Sequence, residues 1–116
     1  MPGTFTLYKP VSQKELDLIK QSGWKAFPSE LKEQPFFYPL MKEAYAVGIS
    51  KECITPAYGV SYITRFQIDV DFVSKYKIRN IGPNRQQELW IPTEELVEFN
   101  QHIVGEIEVV GTVTSE

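Results

Sequence analysis

Val60-Ser61-Tyr62-Ile63-Thr64-Arg65-Phe66-Gln67-Ile68-Asp69-Val70 alternates along its whole length. In an extended chain successive side chains point to opposite faces. Val60, Tyr62, Thr64, Phe66, Ile68 and Val70 then share one face, and Ser61, Ile63, Arg65, Gln67 and Asp69 share the other. β-Branched and aromatic residues fill the first set, the composition of a strand packed on a core. This is the longest strand candidate in the chain, and the other segments are read outward from it.

Toward the N-terminus, Lys51 to Tyr58 contains Pro56 and reads as a surface loop. A helix is expected from about Leu40 to Ile49, with Met41, Ala44, Tyr45 and Gly48 on one face. Before it, Pro35-Phe36-Phe37-Tyr38-Pro39 is a brief aromatic strand bracketed by prolines, which cannot donate to a ladder. Ser29 to Gln34 reads as a polar loop, and Trp24 to Phe27 as a possible short strand. Ser12-Gln13-Lys14-Glu15 has the capping-box pattern. The helix it opens carries Leu16, Leu18 and Ile19 and stops at Ser22-Gly23. Thr4 to Lys9 alternates as a first strand, with Pro10 as its stop.

Toward the C-terminus, Asp71 to Tyr76 suggests a turn of helix, and Tyr76 and Ile78 begin a strand ending near Asn80. Gly82-Pro83-Asn84 is a turn cluster. Leu89 to Ile91 is a short apolar strand, and Pro92-Thr93-Glu94-Glu95 opens a helix with acids in its first turn. Leu96, Phe99 and Ile103 give that helix its apolar stripe, and Gly105 is its expected end. Ile107, Val109 and Val113 suggest a last strand. The order implies an α+β fold, a single domain over residues 1–116, with a mixed or antiparallel split sheet and flanking helices.

Composition narrows the function. A chain of 116 residues is long enough for a core without disulfide or metal staples. Net charge is −3 and no basic block of five residues occurs, so nucleic acid is not a favoured partner. Cys53 is the single cysteine, so no internal disulfide forms, which fits a reducing compartment. No apolar run approaches the roughly 18 residues that cross a bilayer. A soluble, complete, cytoplasmic chain is expected, with no membrane partner. One cysteine and one histidine cannot make a clustered zinc site, and no metal is expected. His102 sits near the C-terminus of the last predicted helix, where it complements the dipole, and nothing pairs it with a nucleophile. No Gly-rich phosphate loop is present.

The segment with the most chemical content is Arg85-Gln86-Gln87-Glu88-Leu89-Trp90-Ile91-Pro92. In a strand, Gln86 and Glu88 fall on one face, with Trp90 in the same row. A carboxylate beside a carboxamide suits gripping sugar hydroxyls and stabilising adjacent positive charge. The same triplet is equally what a solvated strand face carries. Lys9, in the same way, reads as a solvated charge on a strand edge, and Tyr38, Tyr45 and Trp90 read as core aromatics.

Three segments taken in order resemble the ADP-ribosyltransferase superfamily. They are Leu7-Tyr8-Lys9-Pro10, then Pro35-Phe36-Phe37-Tyr38-Pro39 with Ala44-Tyr45-Ala46 after it, then Gln86-Gln87-Glu88-Leu89-Trp90-Ile91-Pro92. The chain also resembles short uncharacterised bacterial proteins bearing the label "ADP-ribosylation/crystallin". That label properly belongs to a longer, all-helical hydrolase, so the segment order is the better guide. The superfamily resemblance implies NAD as substrate, cleaved at its nicotinamide–ribose bond. It implies Glu88 as catalytic carboxylate and Gln86 as the residue orienting the acceptor. It implies Lys9, Tyr38 and Tyr45 as NAD-binding residues, facing pyrophosphate or ribose, touching ribose, and stacking on nicotinamide in turn. Lys9 stands where the family keeps Arg or His, and Tyr38 where it keeps a small hydroxyl residue. A Lys lacks the planar fork that grips phosphate bidentately.

Two functions follow as expectations: an NAD-dependent ADP-ribosyltransferase or NAD glycohydrolase with a protein or small-molecule acceptor, or a non-catalytic partner-binding or immunity-type module on the same fold. A homodimer is compatible with both.

Overall fold

The computed structural model describes residues 3–28, 36–37, 39–51, 59–74, 76, 78–81, 86–89 and 91–114. In chain order the elements are β1 (Thr4–Val11), α1 (Gln13–Gln21), β2 (Phe36–Phe37), α2 (Glu43–Ile49), β3 (Val60–Asp69) and α3 (Val70–Val73). They continue with β4 (Ile78–Ile81), β5 (Gln86–Leu89), β6 (Ile91–Pro92), a 3-10 turn (Thr93–Glu95), α4 (Leu96–Gln101) and β7 (Ile103–Thr114). The domain is α+β. No helix among the described residues is long and apolar enough to cross a membrane.

The alternating stretch read first from the sequence is the middle strand of a three-stranded antiparallel sheet, ordered β1-β3-β7. Leu7 lies opposite Phe66, Phe5 opposite Ile68 and Val11 opposite Tyr62. Directly opposed residues of antiparallel strands share a face, so these pairs form one apolar surface. Leu7, Val11, Phe66 and Ile68 are buried there with Leu16, Ile19, Phe27, Phe37, Phe72, Val73, Ile91, Leu96, Phe99 and Ile107. The centre is aromatic: Phe27 lies 4.9 Å from both Phe37 and Phe66, and Phe99 lies 5.4 Å from Phe37 and 5.9 Å from Phe66. Their tilted and edge-on geometries suit the ring quadrupoles. The other face, through Ile63, packs on a smaller cluster with Leu40 and Ala46, supplied by α2 and the residues before it. The middle strand is therefore covered on both sides, which explains an apolar Ile63 among its polar alternates.

Local chemistry sets the ends of the elements. Ser12 caps α1 by accepting from the Glu15 amide at 3.4 Å, while the Glu15 carboxylate accepts from the Ser12 amide at 3.2 Å. The capping box is thus present as the sequence implies. Gly23, at φ 79°, supplies the left-handed residue after α1.

Several expected boundaries move. Pro10 does not stop β1, which continues to Val11. It lies on an outer strand of the sheet, where a missing N–H leaves no gap in a ladder. Trp24 to Phe27 is not a strand; Trp24 has φ 66° and offers one carbonyl to the Ile107 amide at 2.7 Å. The helix expected from Leu40 begins at Glu43, and its packed residues are Tyr45, Ala46, Val47 and Ile49 rather than Ala44 and Gly48. Met41 instead packs on the larger cluster. Gly105 ends no helix: α4 stops at Gln101, and Gly105 lies within β7 at φ 80°. The loops expected at 29–34 and 51–58, Lys51 excepted, and the turn at 82–84 lie outside the described residues.

Candidate functional site

Lys9 is 9% exposed. It shares parity along β1 with Leu7 and Val11, so it points into the larger cluster rather than to solvent. This corrects the reading of Lys9 as a solvated edge charge. Its ammonium donates to the Pro10 carbonyl at 3.1 Å and lies 5.7 Å from the centre of the Phe37 ring. A buried ammonium is costly unless bonded, and the carbonyl and the electron-rich ring face together offset part of that cost. Opposite Lys9 in the ladder, the Thr64 hydroxyl donates to the Lys9 carbonyl at 2.6 Å, fixing the backbone there.

The ring beneath that ammonium leads to the late motif. Phe37 pairs with Ile91, and Phe36 with Pro92, in the β2–β6 ladder. Glu88 precedes Ile91 by three residues. Gln86 and Glu88 occupy alternate positions of β5, with Ile81 opposite Gln86 and Arg79 opposite Glu88. The expected strand at Leu89 to Ile91 is therefore two strands, β5 and β6, and the Gln-x-Glu pair lies wholly in the first.

Tyr45 is elsewhere. It is half-buried on α2 in the smaller cluster, with the Lys42 ammonium 5.7 Å from its ring centre. The sheet separates it from Lys9. The first-strand lysine and the helix tyrosine do not meet in one cleft, and Tyr45 fills the role of a packing aromatic. Tyr38, Trp90 and Cys53 lie outside the described residues.

His102 ends α4, as its sequence position suggests, and stacks on Phe72 with centroids 4.2 Å apart and planes at 14°. Its Nδ1 lies 3.8 Å from Asp69 Oδ2, a contact that becomes ionic when the ring is protonated. An open groove of about 300 Å³ touches this pair, and another of about 420 Å³ runs between α1 and α4 past Leu18, Phe27, Val97 and Asn100. Neither groove is lined by Lys9 or Tyr45. Among the described residues no group of three or more His, Cys, Asp or Glu could hold a metal ion.

Two residues that flank the late motif in sequence were not legible as partners. Tyr76, read as the start of a strand, donates its hydroxyl to Glu95 at 2.5 Å. Burial, the hydrogen bond to Glu95 and the charges of Glu95 and Glu98 push the Tyr76 phenol well above its usual range. The two residues are 19 positions apart, so no local pattern announces the contact.

Compared with known proteins, the chain matches no protein-family model and no curated protein.

Proposed function

We propose that this domain cleaves the nicotinamide–ribose bond of NAD, as an ADP-ribosyltransferase or an NAD glycohydrolase, with Glu88 as its catalytic carboxylate. One observation carries the reading. Lys9, near the amino end, directs its ammonium onto Phe37, whose ladder partner Ile91 follows Glu88 by three residues. The first-strand lysine thus lies beside the β2–β6 pair, and β6 follows along the chain the strand that carries Glu88, in the order the superfamily resemblance implies.

The proposed chemistry follows from charge. Breaking the C–N glycosidic bond leaves positive charge on the ribose, and an ionised carboxylate gripping a ribose hydroxyl stabilises it. Glu88 takes that part, and Gln86, two positions earlier, orients the acceptor, which is water or a group on a partner. Lys9 contributes positive potential toward the pyrophosphate. As a point charge it does so without a bidentate grip. Tyr45 has no part in this site, because it packs on the opposite face of the sheet.

A second reading, a non-catalytic partner-binding or immunity-type module, draws on a specific observation: Lys9 is 9% exposed and already bonded to the Pro10 carbonyl. A direct assay separates the two. Incubation with NAD should release nicotinamide, and Glu88→Gln, which removes charge but keeps shape, should abolish release. No release by the parent protein, with no NAD-induced rise in melting temperature, favours the partner-binding module.

A further inference from the structure

Two side chains outside the proposed site bond to each other from either end of the chain segment that carries it. The Tyr76 hydroxyl donates to Glu95 Oε1 at 2.5 Å. Tyr76 stands two positions before β4, and Glu95 stands three positions after β6. β4, β5 and β6 therefore all lie between the two bonded residues.

Both ends of this bond are fastened to the core. The Tyr76 amide donates to the Val73 carbonyl at 3.0 Å, and its ring meets Phe72 edge-on at 5.7 Å. Glu95 closes the 3-10 turn that leads into α4, where Leu96 and Phe99 are buried. β4 and β5 pair with each other over four residues each. A ribbon of two short strands is at best marginally stable alone. A bond to a carboxylate acceptor is of the stronger kind, and a phenol keeps its donor proton through the neutral range.

We infer that the Tyr76–Glu95 hydrogen bond is a clasp that holds the β4–β5 ribbon in place and thereby sets the position of Gln86 and Glu88. Tyr76 and Glu95 are then positioning residues for the proposed reaction, a role that rests on the reading of Glu88 given above. Neither touches the substrate.

Tyr76→Phe removes the hydroxyl and keeps the ring, and Glu95→Gln keeps an acceptor oxygen. Hydrogen exchange followed peptide by peptide, together with nicotinamide release from NAD, tests the clasp. In Tyr76→Phe, amides of 78–81 and 86–89 should exchange about tenfold faster while those of β1 and β3 keep the parent rate. In the same variant kcat should fall about tenfold with KM nearly unchanged, whereas Glu95→Gln alone, which keeps an acceptor for the Tyr76 hydroxyl, should hold both exchange and kcat near the parent values. Unchanged exchange in the ribbon, or equal acceleration in ribbon and sheet, overturns the clasp. If the parent releases no nicotinamide, the reading of Glu88 fails, and the exchange pattern still decides the clasp by itself.

Discussion

The Lys9 ammonium lies 5.7 Å from the centre of the Phe37 ring, inside the larger hydrophobic cluster. A lysine in that position is held by what surrounds its ammonium, the Pro10 carbonyl at 3.1 Å included. Replacing it with Met keeps length and apolar volume while deleting the charge. Lys9→Met should therefore lower stability by about 1–3 kcal/mol, because the Pro10 carbonyl and the other groups that hold the buried ammonium lose their partner. If Lys9 serves NAD electrostatically, the same change should lower kcat/KM for nicotinamide release by about 10- to 100-fold, a transition-state loss of roughly 1.4–2.7 kcal/mol. Urea melts and initial rates on the same preparations check both halves.

The start of α1 offers a stability test independent of function. Ser12 satisfies the Glu15 amide, and Glu15 satisfies the Ser12 amide in return. Ser12→Ala should cost about 1 kcal/mol, read as a lower urea midpoint at constant slope. Ser12→Gly should cost only a few tenths of that unit, because Gly is a tolerated cap.

Gly23 tests the backbone rather than a contact. It sits at φ 79°, and a Cβ built there meets nothing within 4 Å. Gly23→Ala should therefore cost about 1 kcal/mol from left-handed strain alone. A larger loss would require a clash that this geometry lacks.

Alkaline pH reads the Tyr76–Glu95 bond. The folded phenol has a pKa raised above its ordinary value near 10, by burial first and by the bond to Glu95 second. The unfolded chain gives up that proton first, so the stabilisation is full below pH about 10 and declines as pH rises from there toward the folded value. Stability measured from pH 8 upward should fall more gently in Tyr76→Phe than in the parent. Parallel curves contradict the assignment.

Much of the framework was legible because its signals are local. The alternation from Val60 to Asp69, the Ser12–Glu15 box and the Leu96 and Phe99 pair each obey a short-range rule, and a strand, a capped helix and a helix stand there, the last ending at Gln101 and leaving Ile103 to β7. Errors came where tertiary context overrides a local rule. Pro10 reads as a stop, yet an outer strand has no need of its amide. Gly105 reads as a helix end, yet it lies at positive φ within a long strand. Lys9 reads as solvated, because nothing in its neighbourhood says that Phe37 will lie beside its ammonium. Tyr45 stands beside the family pattern in sequence but belongs to a helix packed on the opposite face. The Tyr76–Glu95 contact and the approach of the Lys9 ammonium to Phe37 join positions that only the completed chain path brings near.

The most direct test of the account is an NAD titration of the isotope-labelled protein by amide NMR. A site formed by Lys9, Phe37 and the strand bearing Glu88, as proposed, predicts saturable amide shifts at Tyr8, Lys9 and Val11, at 36–37 and at 86–91 with one common affinity, and none at Tyr45. Saturable shifts confined to α2, or no shifts at millimolar NAD, would contradict it.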